Sequence, residues 1–185
     1  VVSQYHCAKA PPSLNMPPVD ISIIIVSWQV RDLLAQCVES IGASVETSKK
    51  AGHSLAVEII VVDNASSDGT VEHIKRTFPN VTVIANSSNL GFAAACNQGA
   101  KLAAGKYLLF LNPDTTVVGE AMWDMINFLE EQPFVGLIGP RLENFDGSLQ
   151  HSCRTYPTFL SSALQLLKLH NFIPNVLPLR RHFML

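Results

Sequence analysis

Five short, almost uninterrupted apolar runs, separated by four stretches of helical periodicity, narrow most sharply what this 185-residue chain can fold into. The runs are Ile21 to Ser27, Glu58 to Val62, Val81 to Ala85, Tyr107 to Leu111 and Val135 to Ile138. They are too short for helices and have the continuity of strands buried on both faces. Between them, Leu33, Leu34, Cys37, Val38 and Ile41 recur at three-to-four spacing, followed by Val71, Ile74 and Phe78, then Ala93 to Ala104 and Met122 to Leu129. That alternation predicts an α/β domain whose mostly parallel sheet carries helices on both faces, with right-handed crossovers.

Open sheets of this kind gather ligands outside the carboxyl ends of their strands, where the strand order reverses. Polar clusters fall at three such ends. Ser27 and Trp28 follow the first run, Asp63 to Thr70 the second, and Asn112, Pro113 and Asp114 the fourth. A carboxylate at a strand end, with a proline stiffening the exit, suits a hard divalent cation such as Mg²⁺ or Mn²⁺ accompanying substrate phosphates. Asn-Pro-Asp is also an ordinary turn sequence.

Asp63 ends a buried run, where a carboxylate must find donors. A base imide, a ribose hydroxyl or the amides of its own loop would all serve. Asp68 or Ser67 suits a cap on the next helix, and Gly69 suits the turn before it. A third stretch begins at Asn86 to Asn89, where Gly91 allows close backbone approach at a helix start. The small residues Ala93, Ala94, Ala95 and Gly99 let that helix lie tight on the sheet or on a ligand. Asn97 among these alanines is expected to be a buried amide with several partners.

Composition removes some classes of function. With 48% hydrophobic and 15% charged residues the chain can bury one sizeable core, and a net charge of −2 with a pI near 6.3 gives no footprint for nucleic acid. Cys7, Cys37, Cys96 and Cys153 show no CxxC spacing, which favours reduced structural thiols in a cytoplasmic setting. No run of 18 apolar residues suggests a membrane span. Residues 1–19, rich in proline, read as a flexible arm or linker, 20–155 as the main domain, and 156–185 as an apolar helical tail. The absence of an initial Met suggests a fragment.

Taken in order, four motifs resemble the nucleotide-binding half of family 2 inverting glycosyltransferases, which have the Rossmann-like GT-A fold. They are Ser22-Ile-Ile-Ile-Val-Ser-Trp28, Val61-Val-Asp-Asn-Ala-Ser-Ser-Asp-Gly-Thr70, Asn89-Leu-Gly-Phe92 with Asn97-Gln-Gly99, and Leu109-Phe-Leu-Asn-Pro-Asp114. The Asn-Pro-Asp and Asn-Leu-Gly-Phe forms are similar to bacterial rhamnosyltransferases of cell-surface polysaccharide synthesis. The resemblance covers residues 20 to 155. It implies a domain truncated at its C-terminus, with the tail as the start of an acceptor-side region.

The resemblance also implies roles for individual residues. Asp63 matches the carboxylate that recognises uracil or thymine and its ribose, with Ser27, Trp28 and Asn64 in the same pocket. Asn89, Gly91 and Asn97 match the segment along the nucleotide. Asn112 and Asp114 stand where the family has Asp-x-Asp, so Asp114 is the expected ligand of Mg²⁺ or Mn²⁺. One carboxylate fewer implies a metal site more dependent on the diphosphate.

The implied donor is a UDP- or dTDP-linked sugar, and the implied acceptor is a saccharide or lipid-linked molecule. The family's catalytic base lies on an acidic motif resembling Glu-Asp-x-Asp, which is not found after residue 114. Glu120, Glu130 and Glu131 read as solvated helix surface, Glu143 and Asp146 flank a hairpin turn, and His151 and Arg154 follow it. The base is therefore unassigned, and a nucleotide-sugar-binding module without transfer activity is the alternative. The tail has two readings: packing on an acceptor-side half, or peripheral contact with the inner face of a membrane through Lys168, Arg180 and Arg181.

Overall fold

Ile21–Ser27 forms strand β1, and the chain then alternates through α1 (Arg31–Lys50), β2 (Val57–Asp63), α2 (Thr70–Thr77), β3 (Thr82–Ala85), α3 (Phe92–Leu102), β4 (Tyr107–Leu111) and α4 (Ala121–Glu131). The structure is a computed structural model that describes residues 19–144 and 146–150. The expectations for the arm before residue 19, for the tail, and for Cys7, Cys153, His151 and Arg154 lie outside the described residues.

The four strands run in the order β3-β2-β1-β4, and every neighbouring pair is parallel. Ser27 lies opposite Asp63, Asp63 opposite Ala85, and Ile25 opposite Leu111. All carboxyl ends therefore share one edge. From β1 the chain steps outward through β2 and β3, then returns to the far side of β1 as β4, so the order reverses between β1 and β4. In sheets of this kind the loops after two such strands run to opposite faces, and the space between them is the usual ligand position.

Period-two alternation divides the core. Ile21, Ile23 and Ile25 of β1 pack with Leu34, Cys37, Val38 and Ile41 of α1, Ile74 of α2, and Met122 and Ile126 of α4. On the other face, Ile60 and Val62 meet Ala95 of α3. Gly99 belongs to that contact, because a Cβ built there would stand 2.6 Å from Ile24 Cγ2. The small residues of α3 do let it lie tight on the sheet.

Helix α1 shows why this sequence is helical here. Its buried residues Leu34, Cys37, Val38, Ile41, Ser44 and Ser48 recur at three-to-four spacing, Asp32 stands in the first turn, and Lys49 and Lys50 stand in the last. Those charges complement the helix dipole.

Two expectations about strands need correction. Val135 to Ile138 forms no strand: it follows a turn in which Val135 N–H donates to Gln132 O, and Leu137 is 89% exposed. An apolar run becomes a strand only where an edge can pair with it and a surface can cover it. Nor are all strands buried on both faces, since Leu108 and Phe110 of β4 are exposed on the face opposite the α1 side. Among the described residues β4 is an edge strand, and α3 covers the middle of the sheet rather than this margin.

A separate unit begins at Gly139. Among its described residues Glu143 bridges Leu149 in antiparallel fashion around the turn Asp146-Gly147, where Gly147 has φ 79°. The expected hairpin turn is present.

Candidate functional site

Three of the expected site residues are buried and three loops meet around them. Asp63, the last residue of β2, is 1% exposed. Its Oδ1 accepts hydrogen bonds from Ser27 Oγ at 2.9 Å and Ser66 Oγ at 2.5 Å, while Oδ2 accepts from Ser66 N–H at 2.8 Å. The amide of its own loop thus supplies one donor and the neighbouring strand another. Oδ2 keeps a second acceptor direction, since an ionised carboxylate offers about four in total. Ser27 is fully buried and supports Asp63 from behind.

Asn64 is 3% exposed and links three elements. Its N–H donates to Ser27 O at 2.8 Å, its Nδ2 to Gly91 O at 3.4 Å, and its Oδ1 accepts from Asn86 Nδ2 at 3.0 Å. Asn86 and Gln98 exchange two further side-chain bonds of 2.9 and 3.0 Å. The ends of β2 and β3 are thereby tied to the middle of α3. Here the expectation for Asn97 fails: Asn97 is exposed, and its neighbour Gln98 is the inward amide. Ala95 and Gly99, four residues apart, define the sheet-facing stripe, and Asn97 lies off it. Local spacing gives no signal for the Asn86–Gln98 pair, since nothing in it joins a residue just past a strand end to a helical residue twelve positions later.

The loops after β1 and β2 are stitched together. Gln29 N–H donates to Ser66 Oγ and Gln29 Nε2 to Ser67 Oγ, both at 2.9 Å. Asp68 accepts from Arg31 N–H at 3.1 Å at the start of α1, and from Thr70 N–H at 3.1 Å at the start of α2. It therefore serves two helix starts, although the cap position of α2 itself is Gly69, at φ 80°. Burial pushes the Asp68 carboxyl up, but bonds from the Thr70 hydroxyl and the Arg31 and Thr70 amides outweigh it and hold it below the ordinary range. Gln29 (φ 56°) and Ala65 (φ 64°) are both left-handed without being glycine. Such strain in two adjoining loops is a feature of sites built for function.

The remaining expected residues are exposed around this edge. Trp28 is 56% exposed in the β1–α1 loop. Asn89 Oδ1 accepts from Gly91 N–H at 2.9 Å, and Gly91 (φ 82°, ψ 164°) holds a conformation open mainly to glycine before α3. Asn112 and Asp114 are exposed just beyond β4, one residue and three residues past Leu111. The Asn112 carbonyl is occupied, accepting from Thr115 N–H, Thr115 Oγ1 and Cys37 Sγ at 3.2, 2.5 and 3.6 Å. Burial, and next the nearby Asp114 charge, push the Cys37 thiol up to about 11, so it stays protonated and able to donate.

Among the described residues no group of three or more His, Cys, Asp or Glu could hold a metal ion. An all-protein cage is thus not offered, whereas one exposed carboxylate fits an ion such as Mg²⁺ that keeps waters and substrate phosphates as its other ligands. A cavity of about 640 Å³ lined by Val38, Ile41, Leu55, Val57, Phe78 and Val81 lies at the amino ends of the strands, away from this edge.

Comparison with known proteins places the chain in a family. The family described as Glycosyl transferase family 2 matches residues 22–182. A poly(ribitol-phosphate) beta-glucosyltransferase of Bacillus spizizenii is 33% identical over 60% of the chain and 17% of its own length. An N-acetylglucosaminyl-diphospho-decaprenol L-rhamnosyltransferase of Mycobacterium tuberculosis is 27% identical over 58% of the chain and 39% of its own length. The chain thus spans less than half of either relative. Among solved structures, a mannosyltransferase from Pyrobaculum calidifontis in complex with GDP-Man and Mn²⁺ superposes with a TM-score of 0.52 at 21% identity, covering 65% of this chain and 36% of its own. That likeness bears on the fold.

Proposed function

The chain belongs to glycosyl transferase family 2, and from that premise we propose that residues 20–155 are the donor-binding part of an enzyme that transfers a sugar from a nucleoside diphosphate to a saccharide or lipid-linked acceptor. The observation that carries this reading is the shared edge at the reversal of strand order. There Asp63, Trp28 and Asp114 stand at the ends of β2, β1 and β4.

Each residue has work suited to its surroundings. Asp63, fixed by Ser27 and Ser66, accepts the imide N–H of uracil or thymine through the acceptor capacity left on Oδ2. The exposed indole of Trp28 offers an aromatic face to the base. Asn64 holds Gly91 close, so that the backbone from Asn89 to Gly91 runs beside the nucleotide, with Asn97 exposed on the helix that follows. Asn112 contributes its side-chain amide to a ribose hydroxyl or to a water. Asp114 would hold Mg²⁺ or Mn²⁺, which when bound would neutralise charge on the leaving diphosphate as a Lewis acid. Inversion requires a base opposite the leaving group, and no residue described here is assigned that part. Rhamnose as the donated sugar is supported by the similarity to the mycobacterial enzyme.

Thermal-shift titration with UDP, dTDP and GDP, each with and without Mn²⁺, tests the reading. Stabilisation by UDP or dTDP that grows with Mn²⁺ is expected. No stabilisation by any nucleotide would sink it.

A further inference from the structure

Helix α1 carries a row of hydrogen-bonding side chains that the donor-binding reading does not use. Cys37, Ser40 and Ser44 stand at i, i+3 and i+7, on one face of the helix. All three grip the backbone of the segment that follows β4. Cys37 Sγ donates to Asn112 O at 3.6 Å, Ser40 Oγ accepts from Val117 N–H at 3.0 Å, and Ser44 Oγ donates to Gly119 O at 2.7 Å. Ser40 Oγ also donates to Cys37 O at 2.7 Å, which fixes its rotamer. Asp114 lies between the first two attachment points and is itself exposed.

The same helix begins three residues after Trp28, and its first N–H is bound by Asp68 of the β2–α2 loop. One rigid element of 20 residues therefore connects the loops around Asp63 to the segment bearing Asp114. We infer that Ser40 and Ser44 are positioning residues. Through Val117 and Gly119 they set where the Asp114 carboxylate stands relative to the nucleotide loops, and so set how well a divalent cation is shared between Asp114 and a diphosphate. This rests on the donor-binding reading above.

The competing account is that these serines only satisfy backbone groups of a half-buried segment. It predicts lost stability alone. The two accounts separate in Mn²⁺ titrations of the full chain at saturating UDP, followed by thermal shift, with metal-free UDP binding measured in parallel. Ser40→Thr keeps the hydroxyl, and Ser40→Val keeps nearly the same shape without it. For Ser40→Val and Ser44→Ala the Mn²⁺ concentration at half-effect should rise roughly threefold to tenfold, the range of one net hydrogen bond. Metal-free UDP binding should stay unchanged, and Ser40→Thr should stay near the unaltered chain. Equal Mn²⁺ midpoints for Ser40→Thr and Ser40→Val overturn the inference alone. No Mn²⁺ response in the unaltered chain overturns it together with the donor-binding reading.

Discussion

Ser27 Oγ donates a 2.9 Å hydrogen bond to Asp63 Oδ1 across the last paired residues of β1 and β2, with both side chains buried. A buried serine and a buried carboxylate, 36 residues apart in sequence, thereby make one unit. Removing the donor leaves a buried carboxyl group with one partner fewer. Ser27→Ala is expected to cost roughly 1–3 kcal/mol in urea denaturation, as for other unpaired buried polar groups. It should also weaken UDP binding, since Asp63 loses its fixed position. Full stability with unchanged binding would contradict the support role.

Asp63 and Asp114 should fail in different ways. Asp63→Ala is expected to weaken UDP binding by about tenfold or more, with or without Mn²⁺, in line with loss of a hydrogen bond to a charged group. Asp114→Asn should remove the Mn²⁺ enhancement and leave metal-free binding as it was. Isothermal titration calorimetry with and without Mn²⁺ reads both. Identical behaviour of the two variants without metal would overturn the separation of roles.

Cys37 gives a pH signature. Its thiol rises from an ordinary 9.0 to about 11 in the folded chain, through burial first and the Asp114 charge second. The folded state therefore holds the proton more tightly than the unfolded state. The stabilisation is complete below pH 9 and is lost as pH rises towards 11. At about 1.4 kcal/mol per unit the loss is at most on the order of 3 kcal/mol, reduced by solvent screening. Cys37→Ser, which donates to Asn112 without titrating there, should show a flatter stability profile across that window. Asp114→Asn should move the thiol transition down. Parallel profiles for the serine variant and the unaltered chain would refute the assignment.

Two glycines in helices predict opposite signs. A Cβ at Gly99 of α3 would meet Ile24 Cγ2 at 2.6 Å, whereas one at Gly42 of α1 meets nothing within 4 Å. Gly42→Ala should stabilise by about 0.5–1 kcal/mol through helix propensity. Gly99→Ala should destabilise by about 1–3 kcal/mol through overpacking. Melting temperatures of the two single variants decide it, and a more stable Gly99→Ala would mean that α3 yields freely.

Much of the fold was legible because alternation of apolar runs and helical periods is a local property. The runs at Ile21, Glu58, Val81 and Tyr107 all became strands within a residue or two of the expected bounds. Val135 to Ile138, which contains Gly136, did not, because an apolar run is no more than suited to a sheet and glycine disfavours a strand. β4 was also expected to be covered on both faces, and its outer face is open among the described residues.

The site was legible as a set of loop ends. Its connections were not. Asn97 was expected to be buried, and the helix turns Gln98 inward instead, towards Asn86. The grip of Ser40 and Ser44 on Val117 and Gly119 spans 77 and 75 residues, and no motif signals it.

By itself, the sequence determined the parallel α/β architecture, the shared edge of polar strand ends and the family, since all three follow from the order and chemistry of short segments. Tertiary structure alone decided which of those polar residues face inward to brace the others. That choice depends on register and helix rotation, and a shift of one residue sends a side chain from solvent to core.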